Sequence, residues 1–412
     1  MTSDGNYVIA GGGLGGAKAA QALREAGFEG PVVLIGAESE RPYERPPLSK
    51  DYLLGKAERD TIFVHPQSWY ADNGIDLRLG SAVTGIDRSA RQVTLADGSH
   101  VEYAKLLLAT GSSPRRLPVP GAALNGVLTL RNVGDSERIK AAFTEGAQVV
   151  IIGGGWIGLE TAAAARAAGA AVTVLEAAEL PLLRVLGPEI AQVFAGLHRE
   201  HGVDLRCGVQ VAEITGHGGT ADGVALADGT RIPADTVIAA VGITPNTQIA
   251  AAAHLAVDNG IRVDEQLRTA DPDIYAAGDV ASAFHPLLGT HVRVEHWANA
   301  LHQPQAAARA MLGQPVSYDR VPYFFTDQYD LGMEYSGYAV PGDYDKVVFR
   351  GDVAGREFVA FWLGHGGRVL AGMNVNVWDV TDAIQALVRS GQAVSAAALS
   401  DPGTPLDAVA DS

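Results

Sequence analysis

An apolar strand, a glycine-rich turn and an alanine-rich helix occur in that order twice along this chain. Tyr7-Val8-Ile9-Ala10 runs into Gly11-Gly12-Gly13-Leu14-Gly15-Gly16, and Val149-Val150-Ile151-Ile152 runs into Gly153-Gly154-Gly155-Trp156-Ile157-Gly158. Each predicted helix lacks proline and is followed by glycine and a second apolar strand, Val32 to Ile35 in one copy and Val172 to Leu175 in the other. A further repeat supports the duplication. Val93-Thr94-Leu95-Ala96-Asp97-Gly98, ending in Leu106 to Gly111, parallels Val224-Ala225-Leu226-Ala227-Asp228-Gly229, ending in Val237 to Gly242. Alternating strands around an Asp-Gly turn, then a buried-looking strand stopped by glycine, follow each unit. The chain therefore holds one strand-helix-strand unit with its meander twice.

With 412 residues the chain is long enough for two or three domains. Hydrophobic residues at 47% and charged residues at 19% give a globular balance, and 49 glycines suit many tight strand-to-helix turns. A formal charge of −16 argues against a general affinity for nucleic acid. The single cysteine, Cys207, excludes an intrachain disulfide and a CxxC redox pair. Residues 1–7 show no basic leader, and the Ala-rich run from Ala162 is broken by Arg166, short of the roughly 20 apolar residues of a membrane span. The expectation is a soluble cytoplasmic protein with no membrane partner. Of the 11 histidines, no pair has metal-ligand spacing, so no metal is expected; His198 and His201 read as one solvated helix face.

Both glycine turns sit between an apolar strand and a helix, the context in which GxGxxG binds a dinucleotide. The first glycine permits the turn, the second lets the backbone approach a pyrophosphate, and the third lets helix and strand pack closely. The helix N-terminus then offers unpaired N–H groups to the anion. An acid ending the second strand grips the adenosine ribose, and in the second unit that residue is Glu176. Its charge opposes a 2′-phosphate by about 1 to 4 kcal/mol at about 4 Å. Ala177 and Ala178 supply no basic replacement, although a mobile loop bringing Arg184 back would. NADH is expected over NADPH. In the first unit Ala37 holds the acidic position; Glu38, one step late, either reaches the ribose or leaves it to other groups.

Glu40-Arg41-Pro42-Tyr43-Glu44-Arg45-Pro46-Pro47-Leu48-Ser49-Lys50 is more distinctive. Together with Gly154-Gly155-Trp156-Ile157-Gly158-Leu159-Glu160 and Ala277-Gly278-Asp279, it resembles the FAD-dependent NADH:ferredoxin reductases of oxygenase systems. These are the reductases of putidaredoxin and aromatic-ring dioxygenase type, within the wider pyridine nucleotide-disulfide oxidoreductase superfamily. The resemblance covers about residues 5–390. The same motifs also resemble rubredoxin reductases and the apoptosis-inducing factor.

The resemblance implies roles position by position. Gly11, Gly13 and Gly16, with Leu14 and Gly15 between them, would cradle the FAD pyrophosphate. Glu38, Arg45, Lys50, Val83, Ala109, Thr110, Gly111 and Arg131 would line that cofactor, as would Gly278 and Asp279. Trp297 would stand at the flavin edge. Gly153, Gly155, Ile157, Gly158, Glu176 and Gly242 would bind NADH. Lys50 and Glu160 would pair beside the flavin, where a buried cation and anion must meet to avoid a large desolvation cost. There the lysine would stabilise negative charge on the reduced ring. The alternative is two exposed residues on separate turns. Lys50, Glu160 and Trp297 are the candidate catalytic residues.

Thiol-dependent relatives need a cysteine near the flavin, whereas this chain has Leu48-Ser49-Lys50 at that turn. Serine forms neither a sulfenic acid nor a disulfide. Trp362 and Trp378 read as core or as lining an exit route for electrons.

The expected fold class is α/β: two Rossmann-like three-layer FAD/NAD(P)-binding domains plus a C-terminal α+β domain. The expected FAD domain is discontinuous, 1–115 and 246–318, because Asp279 lies beyond the second glycine turn. The NADH domain is expected at 116–245, the C-terminal domain at 319–400 and a flexible tail at 401–412. The resemblance implies hydride transfer from NADH to FAD, then single electrons to a 2Fe–2S ferredoxin serving a haem-thiolate or Rieske oxygenase, in a monomer or weak homodimer. Reduction of rubredoxin or another carrier stays open, as does a flavoprotein whose NADH-bound state controls partner binding.

Overall fold

The computed structural model describes residues 5–411, so residues 1–4 of the expected first domain and 412 of the expected tail lie outside the described residues. The chain forms two compact units.

The first unit comprises the chain up to Arg45, Glu58–Ser113 and Ile243–Arg320. Its centre is a five-stranded parallel sheet in the order Ile274–Ala276, Lys105–Leu108, Tyr7–Ala10, Val32–Ile35, Ile75–Arg78. The strands Tyr7–Ala10 and Val32–Ile35 are buried throughout, as a parallel sheet covered on both faces requires. The first glycine-turn helix, Leu14–Glu25, buries Ala17, Ala20 and Leu23. Gly15 on this helix faces Pro304 of the helix Trp297–Met311: a Cβ there would lie 3.2 Å from the proline ring.

The second unit comprises Pro46–Ala57, Pro114–Gly242 and Val321 onward. It repeats the parallel sheet in the order Asp204–Cys207, Ala171–Glu176, Gln148–Ile152, Thr236–Ala239, Val127–Leu128. It also holds a five-stranded antiparallel sheet in the order Tyr323–Gln328, Leu331–Gly337, Val369–Val375, Glu357–Gly364, Tyr344–Asp352. One apolar cluster joins the two, with Leu159, Ile190 and Phe194 of the nucleotide fold packed with Phe324, Met333 and Trp362 of the antiparallel sheet. The mixed α/β fold is as the sequence predicts.

Three expectations need correction. Of the expected flexible tail, the described residues 401–411 are packed. Leu406 and Val409 are buried in the short 3-10 helix Leu406–Asp411, and Arg350 donates to the carbonyls of Asp401, Pro402 and Thr404. His198 is not on a solvated face: it is fully buried on the apolar stripe of Ile190 and Phe194, whereas His201 stays partly exposed. Trp378 is 54% exposed, while Trp362 is core and donates to the Leu186 carbonyl. Among the described residues no helix is long and apolar enough to cross a membrane.

Candidate active site

The two glycine turns are built alike at their first and third glycines. Gly11 and Gly153 have φ of +134° and +109°, and a Cβ would come within 2.0 Å of the Ala109 carbonyl oxygen in one and 2.4 Å of the Ala240 oxygen in the other. Only glycine tolerates both the dihedral and the contact. Gly16 and Gly158 each bring the helix against its own turn, with a Cβ 2.0 Å from the Gly11 or Gly153 oxygen. Gly13 and Gly155 are the N-cap residues; neither supplies a side-chain cap, and open space lies beyond each Cβ position. Leu14 is buried at the start of its helix, whereas Ile157 is 42% exposed. Two uncapped helix N-termini beside open space suit two anionic pyrophosphates. The residues present therefore fit FAD and a nicotinamide dinucleotide.

Around the first turn, Glu38 accepts from Arg45 at 2.9 Å and from the Tyr43 hydroxyl. Burial works to lower the Arg45 pKa, but Tyr43, Glu38 and Asp279 outweigh it and leave it raised. Asp279 follows Gly278, whose φ is +79° and whose N–H donates to Gln303 at 2.8 Å. Trp297 opens its helix half-buried, and its indole donates to Glu44 at 3.1 Å. Ala109 extends the strand Lys105–Leu108 by donating to Ala10. Thr110 and Gly111 are clamped by Asn246, whose side chain donates to the Thr110 carbonyl and whose N–H donates to Gly111. Val83 begins the strand Val83–Asp87 and packs at the margin of the core.

Around the second turn, Glu176 ends its strand with both carboxylate oxygens on backbone donors. One accepts from the Gly154 N–H and the other from the Ala178 N–H, each at 2.7 Å. Arg184 is exposed on a separate helical turn, Leu183–Leu186. Gly242 has φ +95° and accepts from the Arg115 N–H. Arg131 lies just before the helix Val133–Ala142, its N–H donating to Asp135.

Lys50 and Glu160 do meet, ruling out two separate exposed residues. Their side chains are 13% and 5% exposed and lie 2.5 Å apart. Glu160 also accepts from Ser49 at 2.5 Å and Thr326 at 2.6 Å. The sequence reading missed both hydroxyls. Ser49 stands next to Lys50 in the sequence, and Thr326 is marked by the period-two burial of Phe324, Thr326 and Gln328 along an apolar strand. Cys207 ends the strand Asp204–Cys207, and burial raises its pKa, so its thiol is not poised for redox attack.

The chain matches the family described as pyridine nucleotide-disulphide oxidoreductase over residues 5–304 and the family described as reductase C-terminal over residues 323–410. It is 43% identical to the 5,5'-dehydrodivanillate O-demethylase ferredoxin reductase subunit of Sphingobium sp., across 97% of each chain. It is 42% identical to the ferredoxin–NAD(+) reductase component of the anthranilate 1,2-dioxygenase system of Burkholderia cepacia, across 96% of this chain and 97% of that one. The crystal structure of the covalent putidaredoxin reductase–putidaredoxin complex matches with a TM-score of 0.95 at 38% identity, covering 99% of this chain and 98% of that chain.

Proposed function

Since the chain belongs to the pyridine nucleotide-disulphide oxidoreductase family and carries a reductase C-terminal domain, we propose that it is a FAD-dependent NADH:ferredoxin oxidoreductase whose acceptor is a 2Fe–2S ferredoxin of an oxygenase system. One observation carries this reading: two uncapped dinucleotide turns stand in a chain whose lone cysteine is half-buried at the end of the strand Asp204–Cys207. Electrons that enter from a nicotinamide have no protein thiol to receive them and must leave on a separate carrier.

Gly11, Gly13, Gly16, Gly278 and Asp279 would hold FAD, with Arg45 supplying positive charge and Trp297 a flat apolar edge fixed by Glu44. Bound FAD supplies a two-electron acceptor that returns electrons one at a time. Gly155 and the N-terminus of the helix Trp156–Ala167 would receive the NADH pyrophosphate, and Glu176 the adenosine ribose hydroxyls. Backbone donors hold the Glu176 carboxylate without neutralising it, so it repels a 2′-phosphate. Glu160 holds the Lys50 side chain in one place, where it would meet the negative charge that gathers during hydride transfer. The protein acts in the cytoplasm, as a monomer or weak homodimer.

NADH-driven cytochrome c reduction, measured with and without candidate 2Fe–2S ferredoxins, tests the reading. Fast turnover is expected only when a ferredoxin is present. Slow NADH consumption with every carrier, together with an NADH-dependent change in oligomeric state, would replace it with a binding role.

A further inference from the structure

A line of buried polar groups leads from Glu160 into the core of the second unit. Thr326 donates to Glu160 at 2.6 Å, and the Thr326 oxygen receives the Gln328 side-chain amide at 3.2 Å. The Gln328 oxygen faces His198 Nε2 at 2.8 Å, and the Tyr329 hydroxyl stands 3.4 Å from His198 Nδ1. Thr326 and Gln328 are each 1% exposed and His198 is fully buried, so these three do not exchange their partners for water. Their alignment follows from the strand Tyr323–Gln328, whose alternation turns Thr326 and Gln328 inward toward the stripe of the helix Pro188–Glu200 that carries His198.

Proton counting gives the line a single direction. Thr326 has one hydroxyl proton, and the carboxylate, which only accepts, takes it. The Thr326 oxygen must then accept, so Gln328 presents its NH₂ to it and its oxygen to His198. The flipped amide would ask the one Thr326 proton to serve two acceptors. An amide oxygen only accepts, so His198 carries its proton on Nε2 and turns Nδ1 toward the Tyr329 hydroxyl. Burial lowers the His198 pKa to about 4, keeping the ring neutral at neutral pH, and burial raises that of Tyr329, keeping it a donor. Every proton in the line points toward Glu160.

We propose that Thr326, Gln328 and His198 are positioning residues for the hydride step, a one-directional hydrogen-bond chain that orients the Glu160 carboxylate and, through it, Lys50. This rests on the reading that Lys50 and Glu160 serve that step. Glu160 holds Lys50 through the same oxygen that Thr326 donates to, so losing the hydroxyl frees that oxygen to rotate and loosens the lysine. Charged-group hydrogen bonds are the stronger class, and the effect passes to Lys50 by geometry rather than contact.

The test uses the purified holoenzyme and its Thr326→Val, Thr326→Ser and Gln328→Met variants. Two quantities are read: the acetylation rate of Lys50 under acetic anhydride, by peptide mass spectrometry, and the stopped-flow rate of hydride transfer from NADH. Thr326→Val should acetylate several-fold faster and transfer hydride about tenfold more slowly, with NADH affinity unchanged. Thr326→Ser, which keeps the hydroxyl, should restore both rates, and Gln328→Met should fall between. Should Thr326→Val not fold, Gln328→Met carries the same expectation one link further along. Wild-type Lys50 acetylation in both variants, or a Thr326→Ser protein as impaired as Thr326→Val, overturns the proposal. A Lys50→Ala enzyme that transfers hydride at the wild-type rate overturns the underlying reading instead, and leaves the acetylation result to judge the chain alone.

Discussion

The two glycine turns share their backbone and differ in what holds the acid beyond them. Glu38 rests on side chains, an arginine at 2.9 Å and a tyrosine hydroxyl, so its charge is balanced before any ligand arrives. Glu176 rests on two neutral backbone N–H groups at 2.7 Å and keeps its charge to present. A duplicated fold is thus given two roles by a handful of residues after the second strand. The backbone receives a pyrophosphate in either copy, and the acid's partners decide which nucleotide is tolerated beside it.

The same change made in both copies separates their roles most strongly. A Cβ at Gly16 or Gly158 would sit 2.0 Å from a carbonyl oxygen of its own turn, so helix and strand must separate. Gly16→Ala should purify without flavin absorbance. Gly158→Ala should keep its flavin and lose NADH binding by more than about a hundredfold, the order of magnitude of one misplaced anion site. Loss of flavin in Gly158→Ala, by absorbance and titration, would show that the copies are not functionally separate.

Each unit also hides one histidine whose pKa burial lowers to about 4, His296 in the first and His198 in the second. The unfolded imidazole takes its proton near 6.5, while the folded one resists to about 4. The unfolded chain therefore binds more protons in that window, and stability falls as pH drops through it. Each histidine should withdraw roughly 3 kcal/mol by the lower end. His198→Asn should flatten the acid loss of the second unit and His296→Asn that of the first, read by limited proteolysis of each unit between pH 7 and pH 5. An unchanged pH dependence in both variants breaks the assignment.

The parts legible in the sequence are those with a period or an obligatory residue. The turns needed glycine, the buried parallel strands ran apolar without interruption, and Lys50 and Glu160 stood in motifs distinctive enough to single out. What was illegible depended on which face a helix turns inward. His198 reads as solvated beside His201, yet it continues the stripe of Ile190 and Phe194 because Gln328 of a distant strand satisfies its ring nitrogen. The chain end reads as a tail from its aspartates, yet Arg350 collects its carbonyls. Both depend on partners far along the chain, which local pattern does not report.

Removing the charge of each acid has unequal consequences in the two copies. Glu176→Gln should lower the ratio of kcat/KM for NADH over NADPH about tenfold, the low end of the repulsion at contact distance. Glu38→Gln should leave that ratio unchanged and cost about 1 kcal/mol of stability, since Arg45 loses a partly exposed anionic partner. Equal shifts of cofactor preference in the two variants would mean that the acids are not differently employed.

The smallest effect separates a helix that is capped from two that are left open. The helix Val133–Ala142 begins at Asn132 with a full capping box, its side chain accepting from the Asp135 N–H while Asp135 accepts in return. The glycine-turn helices begin at Gly13 and Gly155 with no such acceptor. If the open ends exist for an anion, stability and binding should part company. Asn132→Ala should cost about 1 kcal/mol and leave NADH affinity alone. Gly155 has φ −81° and open space before it, so serine fits there without strain. Gly155→Ser should gain only a few tenths of a kcal/mol by capping the helix, yet weaken NADH, because its hydroxyl takes a donor that the pyrophosphate needs. A serine variant that is both more stable and binds NADH as tightly as before would mean that those amides were never reserved for the ligand.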